Sequence, residues 1–358
     1  MINKIGIIGG GKMGTDIFHF LSDFPFQLTW LFKSQMKLEK AREDWIKKQQ
    51  RALKYNRLDE DAYHEKLLQI QFTSDLSTLA DCDLIIESMT ENYETKSALF
   101  RELDVVVKPE SIFSSNTSSI PIASMVPSNR RINSFVGLHF FYSVKIKNLV
   151  EVNILSETSQ PVVDLLSEFL LTTRKFFKIL PEPDHFLFNR LFLPLQAGVY
   201  NLYEEDKIPI ETLDLLVKEK LFPIGIFEFF DQVGIDVMHT AVSNYTLGKT
   251  DADFYQPLIE GLKRLKEGNQ LGVKTGKGFY NYVDQKPPLD INFKDSLDNP
   301  QQDLILKKIY SWYLTPIFKV VTNHILTQEE TVHFIKEYMG LDKSPFDLAK
   351  EIGYKPKK

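Results

Sequence analysis

The sequence predicts an α/β domain followed by an all-α domain, and three observations carry that reading. A short apolar strand, Ile5–Ile8, runs into Gly9-Gly10-Gly11-Lys12-Met13-Gly14 and then into an apolar helical segment, Ile17 to Leu21. Strand, glycine-rich turn and helix in that order are the context that gives a G-x-G-x-x-G spacing its meaning. Further strand-like runs alternate with helical stretches as far as residue 184, the pattern of a mostly parallel sheet. Beyond Asn189 the periodic segments read as helix, and one stretch of them repeats. The expected fold is an α/β Rossmann-type N-terminal domain plus an all-α C-terminal domain with a partial internal duplicate.

Bulk properties narrow the classes. At 358 residues the chain has room for two domains and an appendage. A hydrophobic share of 43% with 25% charged residues fits an ordinary globular chain. The formal charge of −5 argues against nucleic acid or an acidic membrane surface as partner. The one cysteine, Cys82, excludes an internal disulfide and a cysteine-rich zinc site. No apolar run is long enough to span a bilayer. The first strand starts so near Met1 that no signal or transit peptide is expected, and a cytoplasmic protein is the plain expectation.

Taken in order, the glycines come first. Gly9 permits the tight turn, Gly11 lets backbone approach a pyrophosphate, and Gly14 lets the helix pack on the strand with its N-terminus toward the phosphates. The second strand, Leu28–Phe32, should end in an acid that holds the adenosine ribose of NAD. The chain instead has Phe32, Lys33 and Ser34. Lys33 and Ser34 could hold a 2′-phosphate, favouring NADP; alternatively NAD binds more weakly, with Phe32 against the adenosine. Gln35–Tyr55 and Asp59–Leu68 read as an αα insertion, and Gln69–Thr73 and Leu84–Glu87 as the next strands. Glu91 follows at the carboxyl edge of the sheet, where open α/β sheets bind ligands. Its bland reading is a helix acid paired with Lys96, one turn on. Ser111–Ser114 is a fifth strand, and Ser115-Asn116-Thr117-Ser118-Ser119 is a polar loop at the same edge. Its serines could cap a helix or touch substrate.

The most informative pair lies further on. Gly137-Leu138-His139-Phe140-Phe141 and, twelve positions after the histidine, Glu151 within Leu149-Val150-Glu151-Val152 are both of strand character. A glutamate among buried aliphatics needs a partner. His139 is the candidate, and a carboxylate that orients an imidazole makes a general base. The competing reading is a buried histidine and an edge-strand glutamate that never meet.

With these motifs in order, the chain resembles the L-3-hydroxyacyl-CoA dehydrogenase family. The likeness runs through Gly9–Gly14, Ile85–Asn92, Ser115–Ser119, Gly137–Phe141, Leu149–Val152, Phe186–Leu191, Pro223–Phe229 and Leu271–Tyr280, covering residues 1 to about 282. The resemblance implies oxidation of a 3-hydroxyacyl thioester with NAD(P), or the reverse reduction. It makes His139 the base, Glu151 its carboxylate partner, and Ser118 and Asn189 donors to the reacting oxygen. Glu91, Lys96 and Lys274 would contact the cofactor, beside the cradle of Gly9, Gly11, Met13 and Gly14 and the phosphate candidate Lys33. The chemistry agrees: removing a hydroxyl proton while hydride leaves the same carbon needs a base beside a nicotinamide. The chain departs from the family where Tyr142 and Ser143 replace the Asn-Pro after His-Phe-Phe, and where Asp184-His185 replaces the Pro-Gly before Asn189. Rivals are a carrier-protein thioester, a small hydroxy acid, or a non-catalytic sensor of dinucleotide or acyl-CoA.

The remainder is helical. Pro161–Phe177 is an amphipathic helix, Arg174–Leu180 contains the last strand, and Pro181, Pro183 and Asp184 mark a boundary. Residues 1–184 thus form the dinucleotide domain, with its insertion near 35–68, and 185–282 the helical domain. Leu191–Glu205, Ile210–Glu219, Ile226–Val233 and Asp251–Glu267 are its helices, and Val283–Gln302 is a linker. A shift of 119 positions then lays Asn201–Gly234 on Val320–Gly353 without a gap. Glu211-Thr212 meets Glu330-Thr331, Phe227 meets Phe346 and Gly234 meets Gly353. Residues 300–358 are expected to be a partial second copy, giving a monomer with an internal pseudo-dimer; a homodimer is the alternative.

Overall fold

Ile5, Ile7 and Ile8 each lose almost all contact with water, because β1 (Lys4–Ile8) lies in the middle of a sheet covered on both faces. The chain is described by a computed structural model over residues 1–182, 186–247, 249–282, 299–341 and 343–356. It divides into two compact units, Met1–Phe186 and Leu187–Lys358. The boundary residues Pro183, Asp184 and His185, and residues 283–298 of the expected linker, lie outside the described residues.

In the first unit β1 is followed by α1 (Lys12–Leu21), β2 (Gln27–Leu31), α2 (Gln35–Lys54), α3 (Glu60–Gln69) and β3 (Ile70–Thr73). Then come β4 (Leu84–Glu87), α4 (Tyr93–Val106), β5 (Ile112–Ser115), β6 (Phe135–Phe140), β7 (Leu149–Ile154), α5 (Gln160–Thr172) and β8 (Phe176–Pro181). The eight strands are ordered β3-β2-β1-β4-β5-β6-β7-β8. All neighbours are parallel except β6 and β7. The order reverses between β1 and β4, so the glycine turn after β1 opens at the switch point where such sheets take their ligands. Alternate residues feed two cores. Ile5, Ile7, Leu28, Ile86 and Leu138 meet α1 and α5, while Ile8, Ile85, Phe113 and Phe135 meet Phe100 and Leu103 of α4.

The second unit is helical: α6 (Leu187–Glu204), α7 (Ile210–Lys220), α8 (Ile226–Val233), α9 (Ile235–Thr246), α10 (Ala252–Glu267), α11 (Asn299–Thr322), α12 (Gln328–Met339) and α13 (Pro345–Glu351). Helix α6 is its centre and packs on α10 and α11. The close approach to α11 depends on Gly198, where an added Cβ would lie 2.2 Å from the Trp312 ring. The shift of 119 carries α7 onto 329–339 and α8 onto 345–352, the places of α12 and α13. Two expectations are corrected here. Residues 299–302, read as linker, begin α11, because Pro300 sits in a first helical turn, where a missing N–H costs nothing. Helix α9, absent from the sequence reading, fills the space between α8 and α10.

Candidate active site

The pairing of β6 with β7 builds the site's most distinctive feature. Antiparallel register sets His139 directly opposite Glu151, so the two side chains leave the sheet on one face at cross-strand spacing. Nδ1 of His139 lies 2.8 Å from Oε2 of Glu151. The pair is shielded, with Glu151 at 0% and His139 at 9% exposure. An ionised carboxylate would only accept, so in a neutral ring Nδ1 would carry the hydrogen and Nε2 the lone pair. The ring is held by Phe141 and Phe186, with centroids 4.4 and 6.4 Å away. The arrangement can take up a proton at Nε2 and stabilise the resulting cation.

The glycine turn has the shape a dinucleotide needs. Gly9 adopts φ +116°, and a Cβ there would meet the Ser88 carbonyl oxygen at 2.4 Å. A Cβ on Gly14 would meet the Gly9 oxygen at 2.2 Å, whereas one on Gly11 would meet nothing within 4 Å. Gly9 and Gly14 therefore close the turn, and Gly11 leaves it open toward a ligand. The N-terminus of α1 has no side-chain cap and no acid in its first turn, so its N–H groups stay available for an anion. Met13 supplies one of those first-turn N–H groups and half-buries its side chain against the core. Trp30, which the sequence reading passed over, donates from Nε1 to the Gly9 carbonyl at 2.9 Å and fixes the turn from below. A tryptophan in β2 just before the acid position was the available signal.

Phe32 is 3% exposed, its ring packs under Gly10 and beside Trp30, and it belongs to the core. Lys33 next to it is exposed, so the end of β2 presents a cation where a carboxylate was sought.

A buried polar network occupies the sheet edge. Glu87, the last residue of β4, is fully buried and accepts from Lys96 Nζ at 2.7 and 2.9 Å and from the Met89 N–H at 2.6 Å. Glu91 accepts from the Thr117 hydroxyl at 2.6 Å and the Ser118 N–H at 2.9 Å, and its other oxygen lies 3.3 Å from Lys96. Burial pushes the Glu91 carboxyl up, but Lys96 and donors from Thr117, Ser118 and Ser119 outweigh it and hold the group below its ordinary range. Lys96, expected to contact the cofactor, is 1% exposed and clasped between the two carboxylates, and its contact with Glu91 is the pairing that its bland reading gave. Glu87 itself was missed, although an acid closing an apolar strand was visible. Ser118 sits on this loop with its hydroxyl 3.3 Å from Glu91. Asn116 accepts from the Phe140 N–H at 2.8 Å and so ties the loop to the strand of His139.

The other expected residues belong to the second unit. Asn189 lies half-buried in the first turn of α6, and Lys274 pairs with Asp236. Among the described residues no group of three or more histidines, cysteines or acids could hold a metal ion, and no helix is long and apolar enough to cross a membrane.

Comparison with known proteins gives one consistent picture. The family model for the 3-hydroxyacyl-CoA dehydrogenase NAD binding domain matches residues 4–177, and that for the same family's C-terminal domain matches 186–282. A 3-hydroxybutyryl-CoA dehydrogenase of Bradyrhizobium diazoefficiens is 32% identical over 289 residues, 80% of this chain and 98% of that protein. The mitochondrial hydroxyacyl-coenzyme A dehydrogenase of Sus scrofa is 31% identical over 289 residues, 79% of this chain and 92% of that protein. Among solved structures, FadB2 of M. tuberculosis superposes with a TM-score of 0.69 at 29% identity, covering 79% of this chain and 99% of that one. A 3-hydroxybutyryl-CoA dehydrogenase of Escherichia coli superposes with a TM-score of 0.76 over 98% of this chain and 92% of that one. At 18% identity the last shows shared fold alone.

Proposed function

Since the chain belongs to the 3-hydroxyacyl-CoA dehydrogenase family, we propose that it interconverts a 3-hydroxyacyl thioester of coenzyme A and the 3-oxoacyl thioester, with NAD as the hydride carrier. The observation that carries the reading is the 2.8 Å contact between His139 and Glu151. In the oxidative direction Nε2 of His139 takes the hydroxyl proton as the C–O bond becomes a carbonyl. Glu151, already on Nδ1, stabilises the imidazolium that forms. NAD held at the glycine turn would supply the hydride acceptor, so that alcohol and NAD⁺ would give ketone, NADH and one proton, which His139 would take up and pass on. The open cradle at Gly11 and the uncapped N-terminus of α1 fit the cofactor's pyrophosphate. Ser118 and Asn189 keep the role that the resemblance implies, donation to the reacting oxygen, where two neutral donors would favour developing negative charge. Helices α11–α13 are read as a partial copy of α6–α8 that covers the helical unit within one chain, so the working species is a monomer. A cytoplasmic location suits a chain whose single cysteine, Cys82, is buried and unpaired.

The test is NADH formation from 3-hydroxybutyryl-CoA and NAD⁺, run beside a carrier-protein thioester and a small free hydroxy acid. Turnover on the coenzyme A thioester supports the reading. Turnover only on one of the others moves the substrate class, and tight NADH binding with no turnover on any makes the chain a sensor.

A further inference from the structure

We propose that Lys12 contacts the pyrophosphate of the cofactor and that the ring of Tyr142 positions it, a reading that rests on NAD being the cofactor. Lys12 is the first residue of α1 and directly follows Gly11, the open point of the cradle. A cation there opposes the helix dipole, which favours negative charge at an N-terminus. No ion pair compensates it: the first turn of α1 has no acid, Asp16 one turn on is taken up by Val144 and Ser143, and among the described residues Lys12 forms no ion pair. A residue that breaks a local rule without a local gain points to a ligand of opposite charge. The partner Lys12 does have is the face of Tyr142, with Nζ 3.7 Å from the ring centroid. Tyr142 is 53% exposed, so this contact is wet and readily shared with a phosphate.

The ring's position is fixed from α1 itself. Asp16, one turn after Lys12, accepts from the Val144 N–H at 2.5 Å and from the Ser143 hydroxyl at 3.5 Å. Tyr142 also stands two residues beyond the end of β6, the strand that carries His139. The need for such a contact follows from the other end of the cofactor. With Phe32 in the core and no carboxylate after β2, the adenosine ribose loses an anchor, and binding leans on the phosphates.

The experiment is a fluorescence titration of NADH into the full chain without thioester, at low and high salt, for the wild type, Lys12→Met, Lys12→Arg, Tyr142→Phe and Tyr142→Leu. Lys12→Met should weaken NADH about tenfold, as loss of one charge-assisted contact does, and flatten the salt dependence. Lys12→Arg and Tyr142→Phe, which keep cation and ring, should stay near wild type. Tyr142→Leu should fall between, with little further loss when combined with Lys12→Met. AMP, which lacks the pyrophosphate, should bind Lys12→Met and wild type alike, and in turnover the loss should fall on KM for NADH more than on kcat. Wild-type NADH affinity in Lys12→Met, or an equal loss for AMP, overturns the assignment while leaving the dehydrogenase reading intact. A wild type that neither binds NADH nor turns over any thioester removes both.

Discussion

Gly11 and Gly14 are separated by two residues yet answer to different constraints. An alanine at Gly14 places its methyl 2.2 Å from the Gly9 carbonyl, while one at Gly11 meets nothing within 4 Å. Gly14→Ala should therefore lower the melting temperature. Gly11→Ala should melt as the wild type does and lose NADH affinity, and equal melting losses in both would contradict the assignment of roles. Glu91 offers a pH test. Its carboxyl is held below the ordinary value of 4.5, so the folded chain binds a proton there less readily than the unfolded chain. The stability it contributes is present above that value and is lost as pH falls through the lowered one. In urea unfolding at a series of acid pH values, Glu91→Gln should lose that part of the slope, and an unchanged profile would remove the role. At this scale the sequence was unevenly legible. The meeting of His139 and Glu151 was expected because a glutamate among buried aliphatics needs a partner and the family resemblance pairs the two. The burial of Lys96 was not, because Glu87, at the end of β4 just before α4, reads in sequence as one more strand residue and shows itself as a buried acid only once the sheet is covered.

Among the elements, strands and the charged helices of the insertion stand within a residue or two of where periodicity set them. Helix α9 escaped notice for a chemical reason. Its sequence, from Ile235 to Thr246, is rich in valine, threonine, serine and asparagine, residues of low intrinsic helix propensity, and packing between α8 and α10 overrides that preference. The start of helix α11 was taken for linker because Pro300 reads as linker unless it is placed in the first turn. The correspondence of α11–α13 with α6–α8 rests on residues that are not periodic, Thr212 with Thr331 and Phe227 with Phe346, all of them buried. If those helices cover the face of the helical unit, light scattering should give the full chain the mass of one copy, 41.5 kDa. A chain ending at Tyr282 should associate or aggregate, since the ring of Trp312 would no longer cover Gly198. A dimer of the full chain would contradict the pseudo-dimer.

For the molecule as a whole, the division into a dinucleotide unit and a helical unit follows from a switch in hydrophobic period near residue 186. The candidate site lies where the parallel sheet reverses order and where its one antiparallel pair, β6 and β7, sets an imidazole against a carboxylate. With Phe32 and Tyr142 departing from the family, His139 and Glu151 still stand at hydrogen-bonding distance. The account therefore stands on His139 acting as the base. Single-turnover hydride transfer between NADH and acetoacetyl-CoA, measured for wild type and His139→Ala with cofactor affinity taken on the same samples, tests this most directly. NADH affinity should be kept while transfer slows by about 10²- to 10⁴-fold, the contribution of a positioned acid–base group. Transfer by His139→Ala at the wild-type rate would contradict it.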